Sequence, residues 1–400
     1  MPGERDPEPS LRSSLTPALD REAYVTDAVW DRERERIFGR EWCAVARNDD
    51  LPSPGSYLRV ELAGESIVLT RDANDRIHGF FNVCRHRGAE LVARDGEAVG
   101  CVTGVLQCPY HAWSYTLDGR LRHAPFLPTP TDEEREEFAL RRVEVDTWGG
   151  FVFVRLESTV DTGPSLAEQL GPIPDRLVRY PLSELQRGAS IRYDVGANWK
   201  VVVENYNECY HCGRIHPELC ELVPVFRRGG GEALDWERGI PHREGANTFT
   251  RSGTTTRPPF PGLDADELIR HKGELAYPNL LLSLARDHVA AFTLLPTGPD
   301  RTEIVFDLLF HPEAVADDAF DPADAWDLWD VTNRQDWAIC ESVQRGMGSR
   351  GFVAAWFAPM EDPSLDIRHW YEPRMQANAA KPPDADRGTE TVGDRGGAAE

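Results

Sequence analysis

The chain has 400 residues, 40% hydrophobic and 28% charged, with a formal net charge of −23. That length allows two or three domains with real cores, and such an acidic surface excludes nucleic acid and anionic membranes as partners, because both repel it. No apolar run reaches the ~18 residues of a spanning helix, and the polar start Met1-Pro2-Gly3-Glu4-Arg5-Asp6 lacks a signal core, so a cytoplasmic protein is expected.

Residues 1–18, with four prolines, predict a mobile segment, and 27–40 a charged helix leading to Trp42. From about 43 to 157 short β-like runs follow one another: Tyr57–Leu62, Ser66–Thr70, Gly79–Val83 and, late, Gly150–Val154. Turn-formers such as Pro54-Gly55 and Asp72-Ala73-Asn74-Asp75 separate them, which predicts a small all-β domain. Beyond 158, helical stretches (165–170, 198–212, 322–347) mix with strands (190–195, 279–285, 288–295, 302–310), predicting an α+β domain. Residues 376–400, rich in Ala, Gly, Pro and charge, predict a disordered tail.

Eight cysteines in a chain without an export signal do not read as a disulfide framework. Cys43, Cys101, Cys209, Cys212, Cys220 and Cys340 are expected as small buried apolar residues. Cys84 and Cys108 differ, because each opens a tight Cys/His spacing: Cys84-Arg85-His86 and Cys108-Pro109-Tyr110-His111. A [2Fe–2S] cluster with thiolates on one iron and imidazoles on the other needs two of each ligand. Two facing β-loops that each give one Cys and one His supply them. The competing reading is a structural zinc site with the same four residues, although zinc modules more often use Cys-x-x-Cys pairs.

A second constellation lies in Asn198–Pro217. His211 and His216 are five residues apart, roughly 140° around an ideal helix, so a regular helix cannot aim both at one metal. Gly213 and Pro217 permit a distortion that brings them together. Glu208 lies three before His211 and Asn205 three before Glu208, which places them on one helical stripe. Two His and one carboxylate with open positions is the usual site for oxygen-activating Fe(II). Asp336, set between an apolar stripe and Trp337, is the candidate carboxylate. The alternative is a pair of hydrogen-bonded structural histidines and a solvated Asp336.

Taken together, these residues resemble the oxygenase (α) subunits of Rieske non-haem iron, or aromatic-ring-hydroxylating, oxygenases. The resemblance spans roughly residues 25 to 373. It rests on Cys84-Arg85-His86-Arg87-Gly88, Cys108-Pro109-Tyr110-His111-Ala112-Trp113, Asn198-Trp199-Lys200, Glu204-Asn205, Glu208, Tyr210, His211, His216 and Gln335-Asp336. It implies an α+β fold in which a Rieske all-β domain (43–157) is inserted in a helix-grip, START-like catalytic domain (158–375). Residues 1–42 would join the catalytic domain and 376–400 form a tail. It further implies a [2Fe–2S] cluster on Cys84, His86, Cys108 and His111, and a mononuclear Fe(II) on His211, His216 and Asp336.

In such a protein, a homotrimer would place the cluster of one subunit beside the iron of the next. Glu208 would bridge His111 of one subunit and His211 of another, and Asn205 would tune the iron. Glu at the bridging place, Tyr277–Leu282 and Glu341–Gly346 are similar to the members that oxidise choline-like, carnitine and betaine substrates. Electrons would come from NAD(P)H through a separate reductase, since Gly229-Gly230-Gly231 follows no strand of a nucleotide-binding pattern. The expected reaction is O2-dependent hydroxylation, with oxidative N-demethylation of a betaine-like quaternary amine. Two other readings are a ring-hydroxylating oxygenase and a non-catalytic electron carrier or zinc-binding protein. A stand-alone electron carrier has no need of the domain that carries His211, His216 and Asp336.

Overall fold

The computed structural model describes residues 11–157, 163–227, 230–231 and 234–376. The expected tail, apart from Gln376, and the first ten residues of the 1–18 segment lie outside them. The rest of that segment is not free, contrary to the sequence expectation. Thr16–Pro17 pairs with Trp356–Phe357, and Arg368 Nη1 donates to the Pro17 carbonyl at 2.6 Å. Composition reports the prolines but not a strand partner some 340 residues away.

The expected β unit is present. Its seven-stranded antiparallel sheet runs, from edge to edge, Cys43–Arg47, Phe151–Arg155, Arg142–Trp148, Ile77–Phe81, Glu65–Arg71, Ser56–Leu62 and Val99–Cys101. Ser56–Leu62 alternates buried and half-buried side chains, the period of a strand with one face in a core. Ala63 and Gly64 both take positive φ between Leu62 and Glu65, the two-residue turn whose twist matches a hairpin. A three-stranded sheet (Val105–Gln107, Ser114–Thr116, Leu121–His123) stands apart, over a small core of Phe80, Leu91, Tyr115, Leu121 and Leu140 that includes Cys84 and Cys108.

The second unit is built on a six-stranded antiparallel sheet: Gln186–Val195, Arg301–Phe310, His288–Gly298, Leu280–Leu284, Arg270–Ala276 and Ile240–Pro241. Leu280–Leu284 is buried throughout because it serves two cores. Leu280, Leu282 and Leu284 join Trp42, Phe151 and Phe153, whereas Leu281 joins Trp199, Phe292 and Trp329. Asn279 ties the units together, accepting from Ala44 N at 2.9 Å and donating to Ala44 O at 2.8 Å. The 26-residue helix Ala323–Gly348 packs on Trp199–Tyr206.

The N-terminal helix Asp27–Glu33 reaches the same unit. Glu33 accepts from Trp199 Nε1 (3.0 Å), Lys200 Nζ (2.6 Å) and Tyr371 Oη (2.6 Å). Among the described residues, no helix is long and apolar enough to cross a membrane. Five of the six cysteines expected to be buried are so, but Cys101 is exposed, because it ends the edge strand of the first sheet.

Candidate metal centres

The two Cys/His loops close in the same way despite their different spacings. Cys84 N donates to Ala89 O and Gly88 N to Cys84 O; Cys108 N donates to Trp113 O and Ala112 N to Cys108 O. Gly88 and Ala112, at equivalent places, both take positive φ. Both thiols are 2% exposed, whereas His86 and His111 lie at the surface with ring centroids 4.6 Å apart.

Trp113 stacks on His86 at 4.9 Å. Tyr115 Oη accepts from Arg85 N at 3.0 Å, which leaves its proton for Cys84 Sγ at 3.2 Å. Burial pushes the Cys108 thiol up, and partial desolvation together with the neighbouring His86 and Arg87 pushes the His111 imidazole down. The loops therefore present inner sulfurs and outer imidazoles, the division that a [2Fe–2S] cluster of mixed ligation requires.

The second constellation assembles by a route other than a continuous helix. Asn198 caps the helix Trp199–Tyr206, accepting from Lys200 N at 3.0 Å. The expected helix over 198–212 stops there, and a new turn, Cys212–Ile215, starts after His211. Glu208 joins the two. One carboxylate oxygen accepts from Tyr210 N and His211 N, and the other from His211 Nδ1. Glu208 and His211 thus meet through a cap, not along a helical stripe.

His216 is forced out of the helical region by Pro217, at φ −119 and ψ 73, and that kink turns it back toward His211. Gly213 contributes space rather than backbone freedom: a Cβ there would stand 3.2 Å from Phe226 O.

Asp336 comes in from the long helix. Its Oδ1 is 2.9 Å from His216 Nε2 and 3.3 Å from His211 Nε2, with the two rings inclined at 77°. Gln335 Oε1 lies 2.8 Å from His216 Nδ1, and Gln335 Nε2 donates to Glu218 Oε2 at 3.0 Å. Asn205 Nδ2 lies 3.3 Å from His211 Nε2.

Because Glu208 and Gln335 take the two Nδ1 protons, both Nε2 atoms face Asp336 as lone pairs, and only a cation or an added proton reconciles the three. Burial opposes charge on His211, but Asp336, Cys212 and Glu208 outweigh it and push its pKa up to about 12. Ligand atoms at right angles around an ion ~2.1 Å away stand about 3 Å apart, which is how Asp336 Oδ1 stands from each histidine, so a divalent ion fits between them. Cys212 Sγ lies 3.8 Å from His211 Nε2, but Cys209 and burial push its thiol well up, so it faces the site neutral.

Asn205, Glu208, His211, Cys212, His216 and Asp336 line a cavity of about 560 Å³ whose wall is aromatic, with Tyr206, Phe249, Phe292, Trp329 and Trp337. No spacing in the sequence joins these five into one wall, because they come from four separate segments, with Trp329 and Trp337 alone sharing a helix. Gln335 entered the reading only as Asp336's neighbour, and Glu218 and Tyr115 were missed, since a hydrogen-bond partner carries no spacing rule.

Residues 41–143 match the Rieske [2Fe-2S] domain, and residues 182–377 match the ring hydroxylating alpha subunit (catalytic domain). The glycine betaine monooxygenase oxygenase subunit of Chromohalobacter salexigens is 30% identical over 389 residues, covering 90% of this chain and 86% of the relative. The carnitine monooxygenase oxygenase subunit of Escherichia coli K12 is 30% identical over 336 residues, covering 82% and 84%. Among solved structures, a quaternary ammonium Rieske monooxygenase superposes with a TM-score of 0.72 at 24% identity, covering 91% of this chain and 96% of that one. Naphthalene 1,2-dioxygenase from Rhodococcus sp. superposes at 0.68 and 20% identity, over 91% and 95%; these two likenesses speak for the fold.

A β unit with paired Cys/His loops, joined to a sheet-and-helix unit with a two-His, one-carboxylate cluster, defines an oxidoreductase that incorporates O2. The chain belongs to the Rieske oxygenase α subunits, in the group that contains the betaine, carnitine and choline monooxygenases. Its two units imply a [2Fe–2S] cluster and a mononuclear iron.

Proposed function

We propose that this chain is the oxygenase component of a two-component system that removes an N-methyl group from a betaine-like quaternary amine. Cys84, His86, Cys108 and His111 would hold the cluster, and His211, His216 and Asp336 the iron. The observation that carries the reading is the convergence of His211 Nε2, His216 Nε2 and Asp336 Oδ1 on an aromatic-walled cavity. When bound, the iron activates dioxygen and the cluster supplies electrons.

The protein's own share is orientation. Glu208 and Gln335 fix the tautomers of the two histidines, and Asn205 steadies His211. The rings of Tyr206, Phe249, Phe292, Trp329 and Trp337 offer faces to a trimethylammonium head. The acids Glu208, Glu274, Asp336, Asp362 and Asp366, all in the cavity wall, add negative potential. Hydroxylation of an N-methyl carbon gives a hemiaminal that sheds formaldehyde. Supply of electrons from NAD(P)H by a separate reductase is supported by the lack of a nucleotide-binding glycine loop in the sequence.

A homotrimer with Glu208 linking His211 to His111 of the next subunit is supported by the exposed imidazoles. Val83, Tyr110, Phe126 and Leu127 are exposed apolar side chains on and near the cluster loops, and such a surface suits docking.

Iron and acid-labile sulfide content of protein purified without oxygen tests the centres. About three irons and two sulfides per chain are expected, and zinc without sulfide would overturn the reading. Formaldehyde release with quaternary amines tests the substrate. Turnover of planar rings instead would move the chain to the ring-hydroxylating reading.

A further inference from the structure

We infer that His271 receives the oxygen-bearing end of the substrate, presenting a ring N–H to a hydroxyl or carboxylate oxygen inside the cavity. This rests on the quaternary-amine reading and deepens it.

A molecule with a cationic head and an oxygen at its other end needs two different subsites, and the second needs a hydrogen-bond donor in the cavity wall. Among the described lining residues, the only Arg or Lys is Arg176, whose Nε and Nη2 donate to the Glu274 carboxylate at 2.6 Å each. The one cation of the wall is therefore already paired with a carboxylate.

His271 is a different kind of group. It lies on the strand Arg270–Ala276, lines the cavity, and is 7% exposed. Its Nδ1 stands 3.0 Å from His242 Nε2, with the two rings stacked at 13°. That is its only side-chain hydrogen bond among the described residues, so Nε2 remains uncommitted.

The direction of the shared proton follows from the other end of the pair. His242 Nδ1 is buried without a hydrogen-bond partner. If His271 donated to His242, a buried N–H would be left without an acceptor at His242 Nδ1. If His242 donates, only a lone pair is left there. An orphaned buried donor is the rarer and costlier of the two. His242 Nε2–H therefore donates to His271 Nδ1, and His271 carries its own proton on Nε2. Burial keeps both rings neutral, with His242 held down to about 4 and His271 well below the ordinary imidazole value.

The donor also stands beside the aromatic wall. Phe249 meets the His271 ring edge-on at 5.0 Å and stacks on Trp329 at 4.3 Å. Trp329 packs on Phe292, which contacts Trp337, the neighbour of Asp336 in sequence. A chain of ring contacts thus runs from the candidate iron site to His271. A head group on those faces would leave its oxygen end within the reach of this N–H.

The test is calorimetric binding of choline, glycine betaine and tetramethylammonium to the metal-loaded protein, compared among wild type, His271→Leu and His271→Gln. Tetramethylammonium has the head but no oxygen. His271→Leu should bind choline and glycine betaine about ten-fold more weakly and tetramethylammonium as wild type does. His271→Gln, which keeps a donor, should recover most of the difference. The KM for the oxygen-bearing substrate should rise with kcat little changed, as for a contact made equally before and during reaction. The ratio of choline to glycine betaine loss in His271→Leu tells which oxygen the donor prefers, and a loss with either supports the assignment. Unchanged binding of all three, or equal weakening of all three, would overturn it while leaving the quaternary-amine reading in place. Failure of wild type to bind any of them would overturn that reading and this inference together.

Discussion

Gln335 turns its side-chain oxygen to within 2.8 Å of His216 Nδ1. Because its amide nitrogen is held by Glu218 at 3.0 Å, the amide cannot flip without breaking a second bond, and the tautomer of His216 is fixed. Such outer partners typically contribute 10–100-fold to metal affinity. Gln335→Leu should weaken mononuclear iron binding by about that factor and leave the cluster intact. Glu218→Ala should do so less. Chelator competition, read beside the visible spectrum of the cluster, separates the two sites.

Glu208→Gln should keep both metals yet stop turnover, because the amide still accepts from His211 Nδ1 but no longer offers a charged path toward a neighbouring His111. Metal analysis and stopped-flow reoxidation of the cluster check it. Full activity in this variant would sink the proposed electron route.

The matched loops give a backbone prediction. Gly88 and Ala112 hold the same left-handed position, which costs a residue with a Cβ ~1–2 kcal/mol. Ala112→Gly should stabilise the protein by about 1 kcal/mol, and Gly88→Ala should destabilise it by a similar amount. A Cβ at Gly88 would meet nothing within 4 Å, so the effect would be one of backbone alone. Thermal unfolding with the cluster in place measures both.

Glu267 is 1% exposed and accepts from Arg179 (2.6 and 3.0 Å) and Lys272 (2.8 Å). Burial would raise its pKa, but these partners bring it down to about 2. The folded value lies below the unfolded one, so its contribution is complete above the ordinary carboxylate range and is lost as pH falls toward about 2. Glu267→Gln should be about 3 kcal/mol less stable at pH 7. The gap should close on acidification, as followed by denaturant melts between pH 7 and 2.

Residues close in sequence were the legible ones. Cys84, His86, Cys108 and His111 announce themselves by spacing, and the strands of both sheets by alternation and turns. Asp336 was identifiable because a charge between an apolar stripe and a tryptophan needs a partner. What stayed hidden depends on tertiary approach. The stop at Tyr206 and the kink at His216 arise from a cap and a proline acting together, where a helix over 198–212 was the simpler expectation. The pairing of Gln335 with Glu218, and of His242 with His271, joins side chains that no periodicity connects. Cys101 misled because burial of a small residue depends on which strand forms the edge.

The ion pair between Glu33 and Lys200 spans 167 residues and is almost wholly buried. A ribosome therefore makes one half of it, then the whole cluster-bearing unit, before the other half emerges. Through that interval the nascent chain carries an acid whose final burial awaits a partner not yet made. Assembly of the catalytic unit is in this way timed by translation: it closes around its earlier-made segment only after the intervening β unit has been made.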